Sequence, residues 1–159
     1  MLVAPLLRLK IRLGDADSRV IGICFDSLLA VKPDNDSVAL VRSYSEGGSE
    51  PLRAEALGAL ARSNHDAAAA AAVSMYQDLN DDQLRRIVVT AMGASHSVTA
   101  QAFLLERLSA PLHEAEWALE ALLPKLQAGP DLDRVELALR ERDDVLLARF
   151  MAWRSGVHR

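Results

Sequence analysis

A single cysteine, Cys24, is all the thiol chemistry this sequence holds, and that scarcity removes several possibilities at once. No disulfide can form within the chain, a metal-binding thiolate would stand alone, and a reducing, cytoplasmic location fits best. Basic charge is not in excess either. The formal net charge is -4 and the pI about 5.5, so the broad electrostatic attraction behind most non-specific nucleic-acid affinity is missing. No stretch approaches the roughly 18 uninterrupted apolar residues of a membrane span. The opening segment Met1 to Leu7 is apolar, but Arg8, Lys10 and Arg12 break the run and no small-residue cleavage site follows. It reads as structure rather than as an address.

Motifs of chemistry are equally scarce. His65, His96, His113 and His158 fall in turns or near ends, and His113-Glu114-Ala115-Glu116-Trp117 lacks the second histidine of a zinc helix. No glycine-rich phosphate loop follows a strand, and no serine or cysteine nucleophile motif occurs, so the expectation is a protein with no metal, no cofactor and no chemistry of its own. What remains is ordinary globular material: 159 residues, 50% hydrophobic and 25% charged, enough for one continuous core.

What the chain does have is a recurring signature. Leu52-Arg53-x-x-Ala56-Leu57-x-Ala59-Leu60 returns as Leu84-Arg85-x-x-Val88-Val89-x-Ala91-Met92, and weaker copies lie at Cys24-Phe25-x-Ser27-Leu28, Ala118-Leu119-x-Ala121-Leu122 and Ala148-Arg149-x-Met151-Ala152. The register runs 24, 56, 88, 118, 148, in steps of 32, 32, 30 and 30. A fixed period of this length marks a repeat architecture whose units bury their apolar faces by stacking. Clusters of Asp, Asn, Ser, Gly and Pro separate the copies, supplying N-caps and helix stops. They predict ten helices, at 2–13, 17–31, 36–45, 50–62, 66–78, 81–94, 97–108, 112–127, 131–141 and 144–154, in one domain over residues 1–159. Leu7 to Leu13 alternates like a strand, yet Leu2, Leu6, Leu9 and Leu13 also keep helical spacing, and the repeat position demands a helix. The run Ala67 to Ala72 is read as a thin-packing helix, because alanine favours helix and permits close approach.

The pattern carried by Glu50-Pro51-Leu52-Arg53-Ala54-Glu55-Ala56-Leu57-Gly58-Ala59-Leu60 and by Gln83 to Gly93 resembles HEAT repeats, in particular the short bacterial variety also seen in phycobilin-lyase-like proteins. Unit four departs from it with Glu114 and Ala115 in place of Leu-Arg, and unit five puts Arg149 at an apolar position, as suits an end repeat. The resemblance implies an all-α, right-handed α-α superhelix of about five helix pairs, with the second helices lining a concave side where partners dock. Turning each second helix through about 100° per residue leaves a ridge facing out. It reads Gly22, Asp26, Leu29, Ala30; Ala54, Gly58, Ala61, Arg62; Arg86, Thr90, Gly93, Ala94; Glu116, Glu120, Leu123; Leu146, Phe150, Trp153, Arg154.

Two stretches of that ridge are candidate partner sites. Asp26, Arg62, Arg86, Glu116 and Glu120 form a mixed-charge track, which is either a polar groove or a plain solvated surface. Leu146, Phe150 and Trp153 form an apolar stripe on the last helix, which either anchors a partner or caps the stack. Trp117 is expected between repeats, Tyr44 and Tyr76, one period apart, are repeat-packing residues, and Glu114, Glu116 and Glu120 form a solvated charged face. These features favour a scaffold or adaptor that binds another protein, with no membrane. The resemblance also admits a bilin lyase or isomerase-like enzyme, which would need paired aromatics and an acid where Gly58, Thr90 and Gly93 stand. It further admits a HEAT-like nucleic-acid-binding module, in which Arg62 and Arg86 would not be opposed by Asp26, Glu116 and Glu120.

Overall fold

Short acidic and serine turns start most of the helices, as the sequence leads one to expect. In the computed structural model, which describes residues 3–126 and 129–157, Asp17 accepts a hydrogen bond from the Arg19 amide and Asp34 from that of Ser37. Asp81 accepts from Gln83 and Leu84, and Ser97 from Ala100. Each satisfies an amide that the first helical turn leaves without a partner. The helices that follow are α1 (Val3–Leu13), α2 (Ser18–Val31), α3 (Asn35–Gly47), α4 (Glu50–Arg62), α5 (Asp66–Asp78), α6 (Asp82–Met92), α7 (Val98–Arg107), α8 (Leu112–Leu122), α9 (Pro130–Arg142) and α10 (Val145–Val157). Among the described residues there is no strand, so the alternating segment Leu7 to Leu13 is helix.

One predicted span is too long. The eighth helix was expected to reach residue 127 but ends at Leu122, and Leu123–Lys125 forms a 3₁₀ turn. Pro124 supplies the reason: it has no amide hydrogen to donate, and its ring clashes with the carbonyl one turn back. Residues 1, 2, 127, 128, 158 and 159, which include Leu2, Gln127 and His158 of the expectations above, lie outside the described residues.

The helices pack as neighbours and as alternates. α2 lies on α4, α4 on α6 and α6 on α8, while α3, α5, α7 and α9 form a second row, with α1 against α2 and α10 against α9. A single core runs between the rows. Phe25, Leu28, Leu57, Leu60, Val88, Met92 and Leu119 are each buried in it, at the register positions of the first four copies. The alanine run contributes Ala68, Ala69 and Ala72, all fully buried, and Gly93 lets α6 approach α8 so closely that a side chain there would begin 3.0 Å from the Ala121 methyl. Small residues set the spacing between these helices.

Polar ties join residues one period apart. Ser95 Oγ donates to the Ser63 carbonyl at 2.6 Å, the His96 amide to Asn64 Oδ1 at 2.7 Å, and Ser97 Oγ to Asp66 Oδ1 at 2.5 Å. Further along, Gln101 Nε2 reaches Asp131 at 2.7 Å, and Arg142 Nη1 donates to the carbonyls of Leu108 and Ala110. The hydrogen bonds from Ser97 and Thr99 hold the Asp66 carboxyl below its ordinary range. The fifth copy breaks the register. Ala148, Arg149, Met151 and Ala152 are exposed while Leu146 and Phe150 are buried, so α10 is rotated relative to the earlier second helices.

A groove along the even-numbered helices

The candidate site is built on α2, α4, α6 and α8. At its first end Arg62 reaches from the last turn of α4 to Asp26 on α2, with Nη2 2.9 Å from Oδ2 and 3.2 Å from Oδ1. Gly58 makes room for this, since a Cβ there would stand 2.9 Å from Arg62 Nη1. A depression of about 540 Å³ lies beside the pair, floored by Leu29, Ala59 and Ala94. A second, of about 840 Å³, adjoins it through Arg62 and Ala94 and is lined by Arg86, Ile87, Thr90 and Trp117. Together they make a trough across four helices, with an apolar floor and charged walls.

Arg86 is exposed in the middle of this trough and has no ionic partner among the described residues. Asp82 lines the same depression one turn earlier. Trp117 is half-buried, its ring edge-on to His113 at 5.2 Å, and it packs against the core as expected of an inter-repeat residue. An unpaired guanidinium beside an indole and an isoleucine suits recognition of a polypeptide segment, in which a carboxylate or carbonyl and an apolar side chain occur side by side.

The remaining predicted residues are placed elsewhere. Glu116 and Glu120 are both held by Arg149 of α10, each at 2.9 Å, so they clamp α10 onto α8 instead of continuing the track. Leu146 is 2% exposed and Phe150 0%, which corrects the expectation that they face outward. The rotation of α10 turns them into the core, and the half-buried Trp153 stacks on Phe150 with ring centroids 5.9 Å apart. Two of the three side chains of the stripe are thus packed inside the fold. Of the outward ridge, Gly22, Leu29, Gly58 and Ala61 are also buried, because each second helix lies on the next and loses that side to packing.

A second polar cluster was missed. Glu114, expected on a solvated face, is 4% exposed and sits under Tyr76, whose hydroxyl donates to Oε2 at 2.5 Å. Arg85 Nη1 donates to Oε1 at 2.9 Å, and Arg107 approaches Oε2 at 3.7 Å. Both guanidiniums also lie over the Tyr76 ring, 4.9 and 5.8 Å from its centroid. Burial, then the hydrogen bond and the charge of Glu114, push the phenol far above its ordinary value. Two signals for the cluster stood in the sequence. Glu114 occupies the register of Leu52 and Leu84, which other copies fill with leucine, and Tyr76 stands one period after Tyr44, whose hydroxyl likewise crosses to another helix at Ile11 O, 3.0 Å. The arrangement joins α5, α6, α7 and α8 through Tyr76, Arg85, Arg107 and Glu114.

A further depression of about 530 Å³ lies between His96 and Lys125, where burial lowers the lysine's pKa and its ammonium is spent on the Ser95 carbonyl. Among the described residues no group of three or more His, Cys, Asp or Glu is placed to hold a metal ion, and no helix is long and apolar enough to cross a membrane. Compared with known protein families, curated proteins and solved structures, the chain matches none.

Proposed function

We propose that this chain is a non-catalytic adaptor, a right-handed HEAT-like stack of five helix pairs that holds a segment of a partner protein along the α2, α4, α6 and α8 face. The observation that carries the reading is the trough from Asp26 to Trp117, with Arg86, which has no ionic partner among the described residues, at its centre. Stacked repeats use such extended surfaces for binding, and their stability arises unit by unit, which leaves the surface side chains free to vary. The lone Cys24 fits a reducing, cytoplasmic setting. A protein partner is favoured over nucleic acid because Asp26 and Asp82 share the trough with Arg62 and Arg86, so no basic stripe results. It is favoured over a tetrapyrrole because Gly58, Thr90 and Gly93 offer neither a catalytic acid nor paired aromatics.

The test is paired co-purification from native lysate, using the intact chain and its Arg86→Glu/Thr90→Arg double variant as baits. Both side chains are exposed, so the variant should keep its melting temperature. A stoichiometric protein retained by the wild type and lost from the variant is the expected result. Identical recovery by both baits would place any binding elsewhere and contradict the proposal.

A further inference from the structure

The two depressions of the trough differ in charge. On a chain of net charge -4, counting histidine as neutral, the smaller one is balanced, with Asp26 against Arg62. The depression around Lys125 is balanced too, by Asp131. The larger part of the trough carries Arg62 and Arg86 against Asp82 alone. Asp82 lies in the first turn of α6, where the helix's own amide groups already draw on a carboxylate. Arg62 and Arg86 thus give this stretch a cationic character that the chain as a whole lacks.

Both guanidiniums have hydrogen-bonding capacity to spare. Arg86 has no ionic partner among the described residues. Arg62 gives Nε and Nη2 to Asp26, which holds the side chain in place, while its Nη1 has no hydrogen-bond partner among the described residues. Ala94, which lines both depressions as Arg62 does, stands eight residues after Arg86, in the turn that ends α6. At the helical rise of about 1.5 Å per residue, the Arg86 and Arg62 ends of the larger depression are about 12 Å apart. Ile87, Ala91 and Trp117 line the same depression and supply its apolar surface.

The matching ligand is a stretch of polypeptide with two carboxylates about 12 Å apart, the span of about eight helical residues, and apolar side chains between them. In an extended chain that distance takes about four residues, at about 3.3 Å each. A guanidinium binds a carboxylate through charge-assisted, often paired hydrogen bonds, and an indole beside an isoleucine favours apolar cover. A basic segment would set its cations against Arg62 and Arg86. A nucleic-acid strand, charged at every nucleotide, would find two cations and meet Asp82 beside them.

Resting on the adaptor reading above, we propose that the segment held in the trough is acidic: an extended stretch that sets one carboxylate on Arg86, a second on Arg62, and apolar side chains over Ile87 and Trp117. Fluorescence anisotropy of a labelled Asp-Leu-Ser-Leu-Asp peptide, titrated with the intact chain, tests it. Saturable binding that weakens with added salt is expected, at least about tenfold weaker in Arg86→Gln and several-fold weaker in Arg62→Gln. Arg86→Glu should instead prefer a Lys-Leu-Ser-Leu-Lys peptide. In Trp153→Phe, which leaves Trp117 as the only indole, the acidic peptide should shift the emission. None of these side chains is fully buried, and circular dichroism melts check that each variant is folded. No binding at millimolar peptide, equal binding of the lysine peptide or of oligothymidylate, or an affinity unchanged in Arg86→Gln overturns the proposal. A protein that the wild-type bait retains and the Arg86→Glu/Thr90→Arg bait loses, but that excess acidic peptide fails to displace, overturns the acidic segment and leaves the adaptor reading standing. Acidic peptide bound as expected, with identical recovery by both baits, supports the acidic site and removes the adaptor reading.

Discussion

Leu57→Asp should unfold this protein or bring it close to unfolding. Leu57 is fully buried in the middle of α4, the helix that touches α2, α3, α5 and α6, so the new carboxylate would be shut away from water. An uncompensated buried charge costs several kcal/mol, which is a large part of the roughly 5–15 kcal/mol that holds a domain of this size together. At about 2–4 °C per kcal/mol for a chain of 150–250 residues, the melting temperature should fall by ten degrees or more. Thr90→Asp places the same group on the exposed face of α6 and should leave the midpoint almost unchanged. Thermal melts followed by far-ultraviolet circular dichroism check both. Wild-type helicity and midpoint in Leu57→Asp would mean that the repeat register is wrong.

Glu114→Ala should be nearly as damaging, although the residue is charged and lies in the first turn of its helix. The substitution leaves the Tyr76 hydroxyl buried without a partner and removes the carboxylate approached by the Arg85 and Arg107 guanidiniums, both of which lie over the Tyr76 ring. Removing one member of such a buried group costs about 3–5 kcal/mol, whereas a solvated glutamate would cost less than about 0.5. Tyr76→Phe removes only the hydroxyl and should cost about 1 kcal/mol, and the two losses should not add. The phenol also sets a pH dependence. Its folded-state pKa is raised above the ordinary 10.0, so the folded chain keeps the proton more tightly than the unfolded one. That contribution is complete below pH 10.0, falls away as the pH climbs beyond it, and should be absent from Tyr76→Phe. A Glu114→Ala midpoint equal to wild type would show that the cluster carries no weight.

Most of the helical layout was legible because it rests on local chemistry. Asp34, Asp81 and Ser97 announce helix starts through their own side chains, and the period that aligns Leu57 with Val89 puts a buried residue at the same place on α4 and α6. Errors arose where a non-local contact decides. Leu146 and Phe150 were assigned outward by extending the register through the weakest copy, and nothing in α10 itself reveals that Arg149 is pulled toward Glu116 and Glu120. Glu114 was read by its charge, when its position among leucines was the better guide. Asp26 and Arg62 were brought to the same ridge by helical turning alone, and they do meet. That Arg86 would be the member left without an ionic partner depends on which carboxylates α10 engages, and only the assembled chain decides it.

The central claim is that this protein works by holding a partner on one row of its helices. Differential hydrogen exchange, comparing the free chain with the complex recovered by co-purification, tests it most directly, because protection reports where backbone is newly covered or rigidified. Added protection should be concentrated in α4, α6 and the first turns of α8, around Arg62, Arg86 and Trp117, with α3, α5 and α7 exchanging as before. Protection confined to α3, α5 and α7, or no change on the trough in a complex that survives the measurement, would contradict it.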